Sequence, residues 1–295
     1  MAREAQAGQG CLSMKTTIGL GLLLAAAAAV TGVAIAQSPA ALAPAPTTAP
    51  AMRPAIQGGY LPKGAAPSSL TLLPPPPAKG SATQARDNAM AKIARALKGS
   101  PRWSQATLDA DLKFPGAANT YSCAVGVDIN PTATPRLYAL LTRTLIDAGL
   151  ATYPAKNKYM RARPFTVAGG DICTPAADAG LRKDGSYPSG HASAGWAWAL
   201  ILAEAAPDHQ DAILARGRAF MQSRVICNVH WQSDIEAGGL VGTSVVARLH
   251  DDPVFRADLD AAKAEIAAAR AAADAPTRDC KAEAAALSME PMPAP

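Results

Sequence analysis

Two of the four histidines in this chain stand in segments whose residue types could perform chemistry. His230 precedes Asp234 by four residues, and on a helical turn this spacing brings the carboxylate towards one ring nitrogen. A carboxylate that holds one nitrogen protonated leaves the other free as a base, a nucleophile or a ligand. A structural His–Asp pair at a helix start accounts for the spacing equally well, so this pair alone does not decide between the two.

A second segment places a histidine at the start of an apolar helix. Ser189 stands at the expected N-cap, Gly190 allows a ligand to come close to the backbone, and His191 falls in the first turn. The free N–H groups and the dipole at a helix N-terminus together attract anions. The alternative is an ordinary capped helix whose histidine packs or forms a hydrogen bond, and taken alone this segment favours the alternative.

Three cations accompany the histidines. Lys156 and Arg163 are seven residues apart, so on a helix they would share a face, and Arg224 precedes His230. Converging cations suit a multiply charged anion, and the planar fork of arginine suits phosphate oxygens. Taken alone, the Lys156–Arg163 segment is better explained as a solvated basic face.

Composition excludes several classes of protein. The 295 residues include 28 basic and 23 acidic side chains, and a net charge of +5 spread along the chain does not indicate nucleic-acid binding. A hydrophobic fraction of 49% excludes a fully disordered chain. Only residues 18–35 are apolar over enough length to enter a bilayer, which excludes a polytopic membrane protein.

The N-terminal 36 residues have the three parts of a secretory signal. Lys15 precedes a short apolar core, and the small-residue pattern at 34–36 suits cleavage. Met14 is an alternative start of translation to Met1. The alternative to a cleaved signal is an uncleaved membrane anchor formed by the same apolar segment. Export to the periplasm or outside the cell puts the four cysteines after this segment in an oxidising compartment, which favours one or two disulfides. Three pairings are open among them: Cys123, Cys173, Cys227 and Cys280.

The rest of the chain divides by composition. Residues 37–68 are rich in Ala and Pro and are predicted to be a disordered tether, residues 69–275 to be one domain, and residues 276–295 to be a disordered tail. Apolar periodicity predicts helices near 83–98, 134–148, 190–206, 208–223, 230–249 and 254–273, whereas alternating strand patterns are scarce. Ser81 and Gln84 have the spacing of a capping box at the first of these helices. The predicted fold class is therefore all-α, with a single helical domain and a buried central helix bundle.

The three segments together resemble a known signature. K-x6-R-P begins at Lys156, P-S-G-H ends at His191, and S-R-x5-H-x3-D ends at Asp234. The order and spacing are similar to those of the type 2 phosphatidic acid phosphatase superfamily. The resemblance is closer to one class of this superfamily when the motifs are extended to G-S-Y-P-S-G-H and S-R-V-I-C-x-x-H-W-Q-S-D. These longer motifs, with the proline run after Leu73, resemble those of the class A bacterial nonspecific acid phosphatases. The resemblance extends over roughly residues 69–273, and Ala192 departs from the threonine common in that class.

This resemblance implies a phosphatase that needs neither a metal ion nor a cofactor. It also implies that the enzyme forms a phosphohistidine intermediate. His230 would be the nucleophile, Asp234 its orienting partner and His191 the general acid. The phosphoryl oxygens would be bound by Lys156, Arg163, Ser189, Gly190 and Arg224. The opposed protonation requirements of the two histidines predict a bell-shaped rate profile with an optimum at about pH 5–6.5.

The resemblance also implies small-molecule phosphate monoesters as substrates, a phosphotransferase side activity and a homodimer. No stable membrane insertion is expected after signal cleavage. Three alternatives share parts of the pattern: a vanadate-dependent haloperoxidase with the same pocket, a membrane lipid phosphatase, and an anion-binding protein without catalysis. The similarity to the class A motifs disfavours the haloperoxidase, and the lack of further spanning segments disfavours the lipid phosphatase. The presence of both histidines with Asp234 disfavours the anion-binding protein.

Overall fold

The computed structural model describes residues 58–273 and 275–289, and these ranges contain helices and no β-strand. The predicted all-α fold class is thereby confirmed. The α-helices are α1 (Ser69–Leu72), α2 (Ala82–Arg95), α3 (Pro101–Leu108), α4 (Ser122–Val125), α5 (Pro135–Leu150), α6 (Tyr153–Tyr159), α7 (Pro164–Ala168), α8 (Asp178–Leu181), α9 (Gly190–Ala205), α10 (Gln210–Ile226), α11 (Gln232–Leu249), α12 (Pro253–Ala271) and α13 (Cys280–Leu287).

Helix α9 is the buried centre of the domain. It packs against α5, α10 and α11, and its side chains Trp198, Ile201 and Leu202 are fully or almost fully buried. A helix that is apolar on most faces can bury all of these faces from water only when other helices surround it. Helix α9 begins at Gly190, so His191 lies in the first turn of this buried helix.

Glycines allow α11 to approach α9 closely. A Cβ atom at Gly238 would lie 2.4 Å from the carbonyl oxygen of Ser189, and one at Gly242 would lie 2.4 Å from that of Ser193. Neither distance is possible for a real side chain, so these positions of α11 must remain without a Cβ. This close contact holds the N-terminal turns of the two helices side by side.

The helix starts follow local capping chemistry. The Ser81 hydroxyl accepts a hydrogen bond from the backbone N–H of Gln84 (3.2 Å), which begins α2 as predicted. The Gln84 side chain donates to Asn88 instead of returning to Ser81. The five longer helices after α2 begin and end within a few residues of their predicted bounds.

The predicted disordered tail is wrong for Cys280–Leu287, which form α13. A disulfide joins Cys280 to Cys123, and Glu283 is buried with its Oε1 atom 3.2 Å from Arg216 Nε. A covalent link and a buried ion pair therefore hold this short Ala-rich helix against the domain. The second disulfide joins Cys173 to Cys227, so one of the three open pairings is selected.

The end of the predicted tether is ordered as well. Tyr60 is buried, its N–H donates to Asp147 Oδ2 (2.7 Å), and its ring packs edge-on against Phe255 at 5.4 Å between centroids. The domain therefore begins before residue 69. The predicted signal segment, Cys11 and the tether up to residue 57 lie outside the described residues. Within the described ranges, no helix has both the length and the apolar character needed to cross a membrane.

Candidate active site

The candidate active site lies where the N-termini of α9 and α11 meet the end of α10. The Ser189 N–H donates to the Asp234 carbonyl (2.9 Å), which ties the two N-termini together. The Arg224 carbonyl accepts from the His230 N–H (3.3 Å), which ties the loop after α10 to that helix. His230 therefore lies in the loop just before α11. The sequence had predicted a helix from residue 230, so this part of the prediction is wrong.

Asp234 is the third residue of α11, and its carboxylate faces His230. Its Oδ2 atom accepts from the Trp231 N–H (2.8 Å) and lies 3.4 Å from His230 Nδ1. Asp234 is fully buried and His230 nearly so. The spacing of four residues thus produces the predicted pairing, although the turn that carries it is a helix cap.

Arg163 determines which nitrogen of His230 carries the proton. Its Nη1 atom lies 3.1 Å from His230 Nε2 and 2.8 Å from the carbonyl oxygen of Val229. A guanidinium group can only donate, so Nε2 must be the acceptor in this contact. The neutral ring is then protonated at Nδ1, which faces Asp234, and the lone pair of Nε2 points towards the cations.

Lys156 and Arg163 meet without sharing a helix. The helix that carries Lys156 ends at Tyr159, Met160 adopts a left-handed conformation (φ 40°), and Arg163 precedes α7 in an extended conformation. The predicted common helical face is therefore wrong. The chain instead leaves the helix at Met160, and both cations reach the Gly185 carbonyl, at 2.7 Å from Lys156 Nζ and 3.4 Å from Arg163 Nη2.

Asp184 is a neighbour of these cations that the sequence analysis missed. Its Oδ2 atom lies 2.9 Å from Arg163 Nη2 and 3.5 Å from Lys156 Nζ. The side chain is 36% exposed, whereas both cations are buried. Its position immediately before the G-S-Y-P-S-G-H segment was the available signal.

Arg224 occupies the last turn of α10 and is almost completely buried. Its Nε and Nη1 atoms make no hydrogen bond with any residue that the structure describes. Buried guanidinium donors without a protein acceptor are costly unless another group satisfies them. A phosphate oxygen is an acceptor of the matching charge.

The start of α9 has the predicted cap. The Ser189 side chain accepts from the Ala192 N–H (3.2 Å), which leaves its own hydroxyl proton available to donate. His191 Nε2 lies 3.1 Å from the Ala110 carbonyl oxygen. A carbonyl can only accept, so Nε2 is protonated and Nδ1 is the nitrogen that can gain or lose a proton.

Burial and positive charge govern the protonation of this site. Burial, with Arg163, Lys156 and Arg224 nearby, lowers the pKa of His230 well below its usual range. Burial, Arg224 and the other site charges lower the pKa of His191 in the same way. Burial lowers the pKa of Lys156 to about 8, against the opposing effect of Asp184. Both imidazoles are thus neutral near pH 7 in the free protein, while Lys156 is charged.

A second missed residue, Arg161, lies behind the His–Asp pair. Its Nη1 atom donates to Asp234 Oδ1 (2.6 Å), and its Nη2 atom donates to Asp87 Oδ2 in α2 (2.8 Å). The cation stands between the two signature positions of K-x6-R-P, and its nearness to them was the only signal in the sequence. Burial raises the pKa of Asp234, and Arg161 and the Trp231 N–H counteract that effect.

The cations and the helix N-terminus give the site the character of an anion pocket. Across residues 58–273 and 275–289, no group of three or more His, Cys, Asp or Glu side chains is arranged to hold a metal ion. The site therefore combines an oriented imidazole with positive charge on the side of its free nitrogen.

The fold and this site define a class of protein. The model of the PAP2 superfamily matches residues 136–256, a range that contains all eight predicted site residues. Relatives extend the likeness over most of the domain. The chain is 48% identical to a non-specific acid phosphatase of Providencia stuartii over 209 residues, which are 70% of this chain and 84% of the relative.

Two further relatives show the same pattern. An acid phosphatase of Zymomonas mobilis is 44% identical over 70% of this chain and 78% of its own length. A non-specific acid phosphatase of Salmonella typhimurium is 43% identical over 66% of this chain and 78% of its own length. The chain therefore belongs to the non-specific acid phosphatases of the PAP2 superfamily. The predicted family and enzyme class are confirmed.

Proposed function

We propose that this phosphatase hydrolyses phosphate monoesters without a metal ion, through a phosphohistidine formed at His230. The observation that carries the proposal is the contact of Arg163 Nη1 with His230 Nε2, with Asp234 on the opposite side of the ring. This contact puts a phosphate-binding cation beside the only nitrogen of the neutral ring that has a lone pair. An incoming phosphoryl oxygen that takes over this hydrogen bond from Arg163 would leave that lone pair facing phosphorus.

In the first step, His230 Nε2 attacks phosphorus in line with the ester oxygen. The N–P bond forms as the P–O bond breaks, and the ring becomes a phosphoimidazolium that keeps its proton on Nδ1. Asp234 stabilises this positive charge across the 3.4 Å contact. His191 gives the proton on its Nδ1 atom to the departing alkoxide, so a neutral alcohol leaves.

In the second step, water attacks the phosphohistidine and gives its proton to the now neutral His191. Orthophosphate leaves, and His230 returns to its neutral form. An alcohol that replaces water would accept the phosphoryl group instead, which is how a phosphotransferase side activity would arise. The charge of the substrate raises the pKa of His191 on binding, because an adjacent anion favours its protonated form.

The remaining predicted residues bind the phosphoryl oxygens. Arg224 supplies buried donors, Ser189 its hydroxyl proton and Gly190 its backbone N–H at the start of α9. Lys156 and Arg163 contribute the other positive charges. Phosphoryl transfer needs mainly positioning and charge neutralisation, and three cations with a helix N-terminus can provide both.

Small-molecule phosphate monoesters as substrates agree with the relatives, which are acid phosphatases, and with a site whose proposed contacts are all to the phosphoryl group. The two disulfides support a periplasmic or secreted location, because such bonds persist in oxidising compartments. The homodimer remains a prediction from the resemblance.

Hydrolysis of p-nitrophenyl phosphate by the purified domain tests the proposal, at about pH 6 and with EDTA present. His230→Ala is compared with the matched control His250→Ala, which removes a half-buried histidine paired with Glu204 at 3.2 Å and outside the candidate site. We expect turnover to survive chelation, to vanish in the first variant and to persist in the second. An acid-labile phosphoprotein should form in the wild type during a rapid quench and be absent from His230→Ala.

Loss of turnover on chelation, or turnover retained by His230→Ala, would overturn the proposal. Halide oxidation by the vanadate-loaded protein without phosphatase activity would point to the alternative use of the pocket as a haloperoxidase.

A further inference from the structure

We propose that Arg161 and Asp87 are positioning residues that hold Asp234 as an oriented carboxylate against His230. This inference rests on the proposed role of His230 as nucleophile. Neither residue belongs to the three signature segments as fixed positions, and Asp87 lies in α2, far from them in sequence. Both act through Asp234 and touch no reacting atom.

The contacts form a closed and buried network. Arg161 Nη1 donates to Asp234 Oδ1 (2.6 Å) and to Ser233 Oγ (2.8 Å), while Nη2 donates to Asp87 Oδ2 (2.8 Å) and Gln84 Oε1 (2.7 Å). Side-chain exposure is 8% for Arg161 and 0% for both carboxylates. The guanidinium fork therefore has acceptors from α2 on one side and from α11 on the other.

Asp87 is fixed independently of Arg161. Its Oδ1 atom accepts from the Ser233 N–H (2.8 Å), and its Oδ2 atom accepts from the Ser233 hydroxyl (2.6 Å). These bonds join α2 to the first turn of α11, immediately before Asp234. The position of the Asp234 carboxylate is thus set from outside its own helix, because α2 holds the cation that holds the carboxylate.

The charges of the network fit the chemistry at His230. Arg161, Asp87 and Asp234 together carry a net charge of minus one when both carboxylates are ionised. Formation of the phosphoimidazolium places one positive charge on the ring that faces Asp234. The network therefore supplies one counter-charge to this intermediate, and Asp87 keeps Arg161 from cancelling it.

Removal of Arg161 should act on Asp234 in two ways. The buried carboxylate would lose its cation and bind a proton more readily, since burial already favours the neutral form. It would also lose the bond that fixes Oδ1 and so lose its alignment with His230. Either change weakens stabilisation of the intermediate, whereas the cations that bind phosphate are left in place.

The test measures kcat, KM, the inhibition constant of orthophosphate and the pH profile for Arg161→Met, Arg161→Lys and Asp87→Asn. We expect Arg161→Met to lower kcat by about 10–100-fold and to change the phosphate inhibition constant by less than about threefold. The acid limb of kcat should move to higher pH in this variant, because Asp234 must lose a proton to act. Arg161→Lys, which restores the charge, should recover part of kcat.

Arg86→Met is the matched control. Arg86 is an exposed arginine of α2 that pairs with Glu236 of α11, so this variant removes an ion pair between the same two helices away from the site. It should keep wild-type kcat and pH dependence. Asp87→Asn has the same shape as the native side chain and keeps the inference testable if Arg161→Met does not fold.

Unchanged kcat and pH profile in Arg161→Met and Asp87→Asn would overturn the inference, as would equal losses in kcat and phosphate affinity. Failure of the proposed function is distinguishable, because His230→Ala would then remain active. An inactive His230→Ala beside fully active Arg161 variants would reject the inference alone.

Discussion

Arg163 Nη1 lies 3.1 Å from His230 Nε2, so one hydrogen bond in the free protein joins the cation proposed to bind phosphate to the atom proposed to attack phosphorus. A substrate oxygen must take this bond over from Nε2 before the lone pair can reach phosphorus. In the proposed mechanism, binding of the phosphoryl group would therefore also free the nucleophile. The same contact holds the ring in the tautomer that directs its proton to Asp234.

The pH dependence of kcat/KM should reflect the lowered pKa values of both histidines. His230 must be neutral to attack, so its acid limb lies below the usual histidine value; His191 must be protonated, so its alkaline limb also begins below that value. We expect an optimum below about pH 6.5 and a decline above it. Steady-state rates on p-nitrophenyl phosphate measured from about pH 4 to 9 check this prediction. A flat profile over the upper part of that range would contradict it.

Anion affinity should fall when Lys156 loses its proton. The pKa of Lys156 is lowered to about 8, so the side chain is charged below that pH and becomes neutral above it. We expect the inhibition constant of phenylphosphonate to rise about fivefold between pH 8 and pH 9. Lys156→Arg should give a nearly flat dependence, because arginine keeps its charge there. An equal rise in both proteins would show that another group titrates.

Asp184→Asn should strengthen phosphate binding at about pH 6, where Lys156 is charged in either protein. The Asp184 carboxylate lies on Arg163 and near Lys156, so it competes with a phosphate oxygen for both. We expect the inhibition constant of orthophosphate to fall by about 3–10-fold, a modest change because Asp184 is partly exposed to solvent. Asp178→Asn, which removes the surface partner of Arg182, is the control and should leave the constant unchanged. Weaker phosphate binding in Asp184→Asn would instead indicate that the carboxylate holds the cations in position.

Gly238→Ala should lower both stability and activity. Its Cβ would lie 2.4 Å from the Ser189 carbonyl oxygen, so α9 must move away from α11 at the end that carries Ser189 and His191. We expect a loss of about 1–3 kcal/mol in the free energy of unfolding and a reduced kcat/KM. Urea denaturation and steady-state kinetics measure the two effects.

Gly149→Ala is the matched control for that substitution. A Cβ at this helical position of α5 meets no heavy atom within 4 Å, and the backbone is not in the left-handed region. It should stabilise the protein by about 0.4–1 kcal/mol and leave kcat/KM unchanged. Equal behaviour of the two variants would refute a special role of the close contact between α9 and α11.

The sequence predicted the helical framework because its cues are local. Ser81 and Ser189 cap their helices as expected, and the apolar periodicity of α5, α9, α10, α11 and α12 sets their lengths. The relation between Lys156 and Arg163 was predicted wrongly, since helical spacing was assumed through Met160. The left-handed residue there ends the helix, and the meeting of the two cations depends on the Gly185 carbonyl from a distant loop.

The order and spacing of the three motifs determined the family and the candidate site residues, and apolar periodicity determined the all-helical class, because all of these depend on residue types and on their spacing along the chain. Only the tertiary structure decided the cysteine pairing, the order of α13, and the contacts of Arg161 and Asp184. The contacts of Arg161 with Asp234 and of Asp184 with Arg163 depend on how segments distant in sequence pack together, and the burial of the two arginines strengthens both contacts by excluding water. Cys280 likewise finds Cys123 across 157 residues through the folded domain, a choice that no local pattern encodes.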